Sequence, residues 1–351
     1  MEEAEITDEP SKREHDVLVS TGEQITISKL AMCLNKLGYN AVSYMGWQVP
    51  IVTDGVHENS RIKHIDDTKI LDRLNEKNIV IIAGFQGVDE RGDITTFGRG
   101  GSDTTAVALA AALKADKCEI YTDVDGIYSA DPRVVSDAVK IETITYDEML
   151  ELASLGAKVL HNRCVEIGKN FNIPIIVKST FDENSQGTVV KHEKNLEDLY
   201  VSGIAKADNI SRVTLVGVDN KLGATYKLFN LLAKNEINTD IIIQSYGEHT
   251  VRNISFSIQT SDLNKTLKVL HDNLEELTAK EIVHSDDLAK ISLVGVGIAN
   301  TPGVAARMFE ALYENDINMH MISTSEIKIS VLVSQNKAER AMKAVHEKFI
   351  K

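Results

Sequence analysis

The sequence predicts an α/β protein: an open, mostly parallel sheet sandwiched by helices, followed by two βαββαβ units. Three observations carry this expectation. Short, nearly all-apolar runs alternate with helical patterns from residue 16 to about residue 190. Such runs suit strands covered on both faces, as a parallel sheet requires. The glycine-dense stretch "TTFGRGGSDTTA" (Thr95–Ala106) leads into an alanine-rich helical pattern. Finally, "RVTLVGVDNKLGATYKLFNLLAKNEINTDIIIQS" returns downstream as "KISLVGVGIANTPGVAARMFEALYENDINMHMISTS".

Taken in order, "DVLVS" reads as a first strand and "EQITISKLAMCLNKLG" as the helix after it. "NIVIIAGF" is the next buried strand, and "DTTAVALAAALKAD" is the helix that follows the glycine loop. Then come the strand "CEIYTDV", two helical stretches through "TYDEMLELASLGAKVLHNRCVEIGKN", and the strand "IPIIVKS". The charged "KHEKNLED" breaks the alternation and reads as a linker.

In the repeat, the leading strands are offset by 78 residues (Val213 to Ile291) and the helices by 80 (Gly223 to Gly303). Two copies at so long a period mean a duplicated small domain, not a solenoid. Each copy reads strand, glycine turn, helix, strand, strand, helix, most of a βαββαβ unit. The second copy has no closing strand, whereas "LYVSGIAKA" upstream has no obvious partner. This segment is therefore expected to complete the second copy, so that the two interleave. The expected organisation is residues 1–192, a linker and strand over 193–208, a first unit over 209–286 and a second over 287–351.

With 52 acidic against 38 basic residues, the formal charge is −14, which argues against nucleic acid as a partner. Any anionic ligand must then be held by positive groups concentrated locally. Cys33, Cys118 and Cys164 are odd in number and widely spaced, as in a reducing compartment. The acidic start "MEEAEITDEPSKRE" has no apolar run of a secretory signal, and no apolar stretch approaches a membrane span. A cytoplasmic address is the expectation, with no membrane partner.

Two loops carry candidate chemistry. In "GRGGSD", Gly100 and Gly101 let backbone approach a ligand, Arg99 offers a planar fork, and the helix start favours an anion. The same residues also suit an ordinary helix cap with a surface arginine. "YTDVDGIYSADPR" (Tyr121–Arg133) is rich in carboxylates and turn residues, which suits a nucleotide loop or plain turn chemistry. Both loops follow strands at the carboxyl side, where open α/β sheets bind ligands. The histidines show no metal-ligand spacing, so no metal-binding residue is expected. "LVGVGIAN" is no dinucleotide fingerprint either, because Asn300 stands where the third glycine belongs.

Together "GRGGSDTTA", "TDVDGIYSADPR", "STGEQ" and "GAKVLH" resemble the aspartokinases, within the amino-acid kinase fold family. The duplicated tail resembles their ACT regulatory units, with "NTPGVAARMFEAL" and "MISTSEIKISVLV" especially similar. The resemblance implies transfer of the γ-phosphoryl of ATP, with Mg²⁺, to the side-chain carboxylate of L-aspartate. That reaction opens the pathway to lysine, threonine and methionine. By the same resemblance, Arg99 and Ser102 hold a substrate carboxylate beside Gly100 and Gly101, Asp103 positions the reacting groups, Glu23 takes the ammonium, and Phe85 lines the pocket. Thr122, Asp123, Tyr128 and Arg133 hold ATP, and Lys158 approaches its phosphates. A carboxylate is already a nucleophile, so such a reaction needs alignment and charge neutralisation more than a base. Without the resemblance, Lys158 reads as a solvated helix lysine and Glu23 as a first-turn acid favoured by the dipole.

The paired ACT-like units imply lysine or threonine, or both, as effector, and a homo-oligomer built through them. Candidate contacts in the first unit are Asp219, Gly223, Ala224, Asn238, Asp240, Gln244 and Ser245. The matching region of the second includes Asn300, Pro302, Gly303, Val304, Asn318 and Ile322, where small apolar residues read more as packing than as a ligand seat. One departure stands out: the K-F-G-G-T-S strand and phosphate loop of these kinases does not occur here. The kinase fold is thus expected to be N-terminally incomplete, and this polypeptide inactive or barely active. The alternatives are an amino-acid sensor with a non-catalytic kinase remnant, or another amino-acid kinase, such as one acting on glutamate or acetylglutamate.

Overall fold

The computed structural model describes residues 10–154, 159–192, 201–246, 251–298 and 300–350. They fall into two compact units. The first takes the chain up to Ile127, Lys140–Ser154, and residues 159–192; the second takes Tyr128–Val139 and the chain from Val201 on. Among the described residues no helix is long and apolar enough to cross a membrane.

The first unit opens with helix α1 (Lys12–Lys36) and strands β1 (Ala41–Tyr44), β2 (Ile51–Thr53) and β3 (Ile62–Ile65). Helix α2 (Thr68–Asn75), β4 (Ile79–Ile82), β5 (Gln86–Val88) and β6 (Ile94–Thr96) follow, then α3 (Gly101–Ala112) and β7 (Cys118–Thr122). After the short ladder of β8 (Ile127–Tyr128) with β9 (Lys140–Ile141) come β10 (Thr143–Thr145), α4 (Tyr146–Ser154), α5 (Asn162–Phe171), β11 (Ile175–Ser179) and β12 (Thr188–Lys191). Parallel pairs join β1 to β4, β7 to β11, β10 to β12 and β2 to β5. Antiparallel pairs join β2 to β3, β5 to β6 and β11 to β12.

The expected first strand is a correction: "DVLVS" lies inside α1. Periodicity over five residues, three of them apolar, cannot separate a strand from a turn of helix. What decides is the face: Asp16, Ser20, Ile27 and Ala31 are buried at helical spacing, while Leu18 is exposed. Glu23 accordingly sits in mid-helix, half-buried, and a first-turn dipole role falls away.

The second unit is one antiparallel sheet in the order β14-β15-β13-β16-β18-β17. Its strands are β13 (Gly203–Asp219), β14 (Ile242–Tyr246), β15 (Val251–Gln259), β16 (Glu281–Val294), β17 (Met321–Thr324) and β18 (Lys328–Ser334). Its helices are α6 (Ala224–Lys234), α7 (Leu263–Asp272), α8 (Val304–Glu314) and α9 (Ala338–Phe349). The long strands β13 and β16 are shared between the copies. Gly203–Ala207 pair with Val294–Lys290, and Arg212–Val216 pair with Ser285–Glu281. Tyr200 and most of the expected linker lie outside the described residues.

The duplication is visible in the backbone. Gly223 and Gly303 both have φ 90° at the N-terminal ends of α6 and α8, a conformation that costs glycine little. Asn235 and Asn315 both donate to a carbonyl four residues back at 2.9 Å. Each copy has its own apolar core, around Val213, Leu215, Leu228 and Phe256 in the first and Ile291, Met308, Val331 and Val345 in the second.

Candidate functional site

Around the glycine loop, the first unit packs four elements together. After β4 the chain passes through Gly84 and Phe85 before β5. Phe85 has φ 68°, an uncommon and costly conformation for a bulky residue. Two hydrogen bonds hold it there: its N–H donates to Thr105 Oγ1 of α3 at 3.0 Å, and its carbonyl accepts from the N–H of Phe97 at 3.0 Å. Strain kept in place from both sides is characteristic of ligand-handling segments.

At Gly100 and Gly101 a side chain has no room without a shift of its neighbours, and at Gly84 the fit is tight. A Cβ on Gly101 would stand 2.7 Å from the Phe85 ring, and one on Gly84 would stand 3.2 Å from Cα of Ser102. On Gly100, which has φ 65°, a Cβ would come within 2.3 Å of Cβ of His161. Phe85, Gly100, Gly101 and Ser102 are thus brought together at the start of α3. The first-turn amides of Ser102 and Asp103 have no acceptor inside the helix, which suits an anion. Arg99 is exposed and, among the described residues, has no hydrogen-bond or ion-pair partner.

Asp103, in the first turn of α3, is partly buried. Burial pushes its carboxyl above the usual carboxylate range, and nearby His161 pulls the other way. Glu23 is linked to this region through α1. The amide of buried Gln86, next to Phe85, donates to the carbonyl of Ser20 at 3.0 Å, and Glu23 lies nearly one helical turn further on.

Three supporting residues escaped the sequence reading. Arg163 of α5 donates to the carbonyls of Phe97 (2.9 Å) and Ser60 (2.6 Å), fixing the strand end that enters the loop. His161 caps α5 and packs on Gly100. Asp16, fully buried in α1, accepts from Thr96 Oγ1 at 2.6 Å and from the N–H of Glu58 at 3.1 Å, with His57 Nδ1 2.7 Å away. Glu58 has φ 66°, and its carbonyl would stand 2.8 Å from a Cβ on Gly98. The available signal was an acid at the head of an apolar run and an arginine two residues after "VLH", neither specific by itself.

The nucleotide candidates divide. Thr122 and Asp123 stand at the carboxyl end of β7, with the Thr122 hydroxyl donating to Asp123 Oδ1 at 3.1 Å. Gly126 is pressed against Thr188, whose hydroxyl accepts from the N–H of Ile127 at 2.8 Å. Tyr128 and Arg133 belong to the second unit. There the Arg133 fork is paired with the carboxylate of Asp131 at 3.0 and 2.8 Å, which holds that carboxyl below its usual range. Lys158 lies outside the described residues. Burial pushes the thiols of Cys118 and Cys164 up to about 11 and about 12, so both are inert at neutral pH.

The effector candidates are not all gathered at one place. Gln244 Oε1 accepts from Thr225 Oγ1 and Arg252 Nη1, both at 3.1 Å, beside Gly223 and Ala224 at the start of α6. Asp219, at the end of β13, pairs with Lys221 at 2.7 Å, and Ser245 is exposed on β14 next to Gln244. Asn238 and Asp240 follow the other end of α6, a helix roughly 16 Å long. Asp240 is ion-paired with Lys290 of β16. In the second copy, Asn300, Pro302, Gly303 and Val304 stand before and at the start of α8, Asn318 follows it, and Ile322 lies on β17.

Comparison with known proteins gives this arrangement its context. Residues 2–179 match the amino acid kinase family, and residues 213–274 and 291–349 match the ACT domain. An aspartokinase of Bacillus sp. (strain MGA3) is 52% identical over 346 residues, covering 98% of this chain and 84% of the relative. Escherichia coli aspartokinase III in complex with aspartate and ADP (R-state) superposes with a TM-score of 0.81 at 30% identity, covering 97% of this chain and 77% of that one. The same enzyme in complex with lysine and aspartate (T-state) gives 0.77 at 30% identity, covering 97% and 76%. With the kinase match over its first half, a duplicated ACT tail and this identity along nearly its whole length, the chain belongs to the aspartokinases.

Proposed function

We propose that the glycine loop and Phe85 seat L-aspartate for phosphorylation of its side-chain carboxylate by ATP. In this reading Arg99, Ser102 and the first-turn amides of α3 hold a carboxylate, Glu23 meets the ammonium and Asp103 orients the reacting groups. Thr122, Asp123, Tyr128 and Arg133 hold the nucleotide, and Lys158 serves its phosphates. The observation that carries the reading is the close packing of Phe85, Gly100, Gly101 and Ser102, with a strained Phe85 backbone and, on an acidic protein, an exposed Arg99 that has no partner among the described residues. Support comes from the solved relative that holds aspartate and ADP.

Among the described residues no group of three or more His, Cys, Asp or Glu is arranged to hold a metal ion. That composition fits Mg²⁺ arriving on the triphosphate, since Mg²⁺ is commonly bound through substrate phosphates with one or two carboxylates. When bound, it neutralises phosphate charge. For the effector we favour lysine, held by that same relative in its T-state, with threonine as the second ligand to test. Oligomerisation through the ACT units fits the sheet's two edge strands, which expose Ile242 and Ile322 at equivalent positions of the repeat.

Calorimetry tests the site. The chain should bind L-aspartate in preference to L-glutamate, and should bind Mg·ATP. R99A should lose aspartate affinity by roughly tenfold or more, as expected for a charge-assisted pair, with Mg·ATP unchanged. Aspartate binding indifferent to R99A would overturn the assignment. Heat from lysine without heat from nucleotide would favour a pure sensor.

A further inference from the structure

The second half of the nucleotide loop is not a free surface loop. Tyr128–Val139 is an excursion into the second unit, where Ala130 and Val135 join the apolar core with Ile204, Met342, Val345 and Ile350. Ser129, 3% exposed, uses every polar group it has. Its N–H donates to the carbonyl of Val139 at 2.8 Å, and its carbonyl accepts from the N–H of Ile204 at 2.7 Å. Its hydroxyl accepts from the N–H of Val139 at 2.9 Å and shares a hydrogen bond with His346 Nε2 of α9, also at 2.9 Å.

His346 is 1% exposed, and among the described residues its Nδ1 has no partner. A leucine would fill this core without the unpartnered Nδ1, but it would take from the Ser129 hydroxyl its side-chain partner. The imidazole therefore contributes direction more than stability: it fixes where Ser129 sits. The duplication supplies an internal comparison. The 3₁₀ turn and helix at Thr260–Asp272 recur 75 residues later at Gln335–Phe349, which places His271 in the first copy opposite His346 in the second. His271 is exposed. The excursion packs with the second copy's core, and the same residue type acquires a buried partner there.

We infer that His346 is a positioning residue for nucleotide binding: through Ser129 it sets the backbone that carries Tyr128 and Arg133. The inference rests on the reading that those two residues hold the nucleotide. It makes the last helix of the regulatory tail a determinant of ATP affinity without contact with ATP.

The test uses the full chain, with Mg·ADP and L-aspartate titrated separately into wild type, H346L, H346Q and H271L. Amide exchange of residues 128–139 is followed in parallel. H346L should weaken Mg·ADP about three- to tenfold, the cost of one hydrogen bond, and should speed exchange across the excursion. Aspartate affinity should stay within about twofold on the same scale. H346Q, which can still reach Ser129, should recover most of the loss, and H271L should change nothing. Unaltered nucleotide affinity in a folded H346L overturns the inference and leaves the site reading standing. Nucleotide and aspartate affinities falling together would mean a general loss of structure and overturn it as well. A wild type that binds no nucleotide removes the site reading and this role with it.

Discussion

Arg163 donates to the carbonyl of Phe97 at 2.9 Å, two residues before Arg99. A half-buried guanidinium thereby anchors the loop that presents an exposed one. Its second hydrogen bond, to the carbonyl of Ser60 at 2.6 Å, ties the same strand end to the segment beside Gly98.

Removing that clamp strands two carbonyls. R163A should cost roughly 2–4 kcal/mol in urea unfolding, at the scale of charged hydrogen bonds left unmade. Aspartate affinity should fall more than Mg·ADP affinity, with R163K intermediate because lysine lacks the fork. Equal losses for both ligands would assign Arg163 to general stability.

Gly100 offers a steric test. G100A places a methyl 2.3 Å from Cβ of His161 at φ 65°, so both packing and backbone oppose it. The expected loss is at least about 2 kcal/mol, with no measurable aspartate binding. H161G should relieve part of the instability in the double variant, read by thermal melting, because the left-handed strain remains.

Two histidines set an acid limit. Burial holds His346 below its ordinary 6.5, against the opposing pull of Asp137 and Glu347; burial, helped by Arg212, does the same for His320. The unfolded chain therefore takes up protons first as pH falls. Stability from these groups is whole above about pH 6.5 and is lost as pH drops through the folded values. Melting temperature should decline between pH 7 and 5, and less steeply in H346Q and H320Q. Identical slopes in wild type and both variants would count against these two residues.

Asp240, in the segment between α6 and β14, meets Lys290 of β16. If Asp240 takes the ammonium of an amino-acid effector, Lys290 competes with it. K290M should then raise lysine affinity about two- to fivefold, the range of a half-exposed ion pair, and D240N should abolish the gain. No gain in K290M would place the effector elsewhere, for example at the Gln244–Thr225–Arg252 cluster.

Much of the architecture was legible because it follows from local pattern. Apolar runs such as "NIVIIAGF" and "IPIIVKS" became β4 and β11, and the glycine loop runs into α3. "DVLVS" misled because its apolar side chains do not mark the buried face; Asp16 and Ser20 do. Arg99, Ser102 and Phe85 could be named from motifs. Arg163, His161 and Asp16 could not, since a lone arginine, histidine or acid has many ordinary explanations.

By itself, then, the sequence determined the alternation of strand and helix, the duplicated tail and the loops that carry chemistry. Each of these is written in spacings of a few residues or in a direct repeat. Only the tertiary structure decided which polar groups are buried together. Asp16 meets Thr96 across 80 residues of chain, and Ser129 meets His346 across 217. Such pairs form because burial leaves a polar atom no solvent, so it must find its partner wherever the fold brings one.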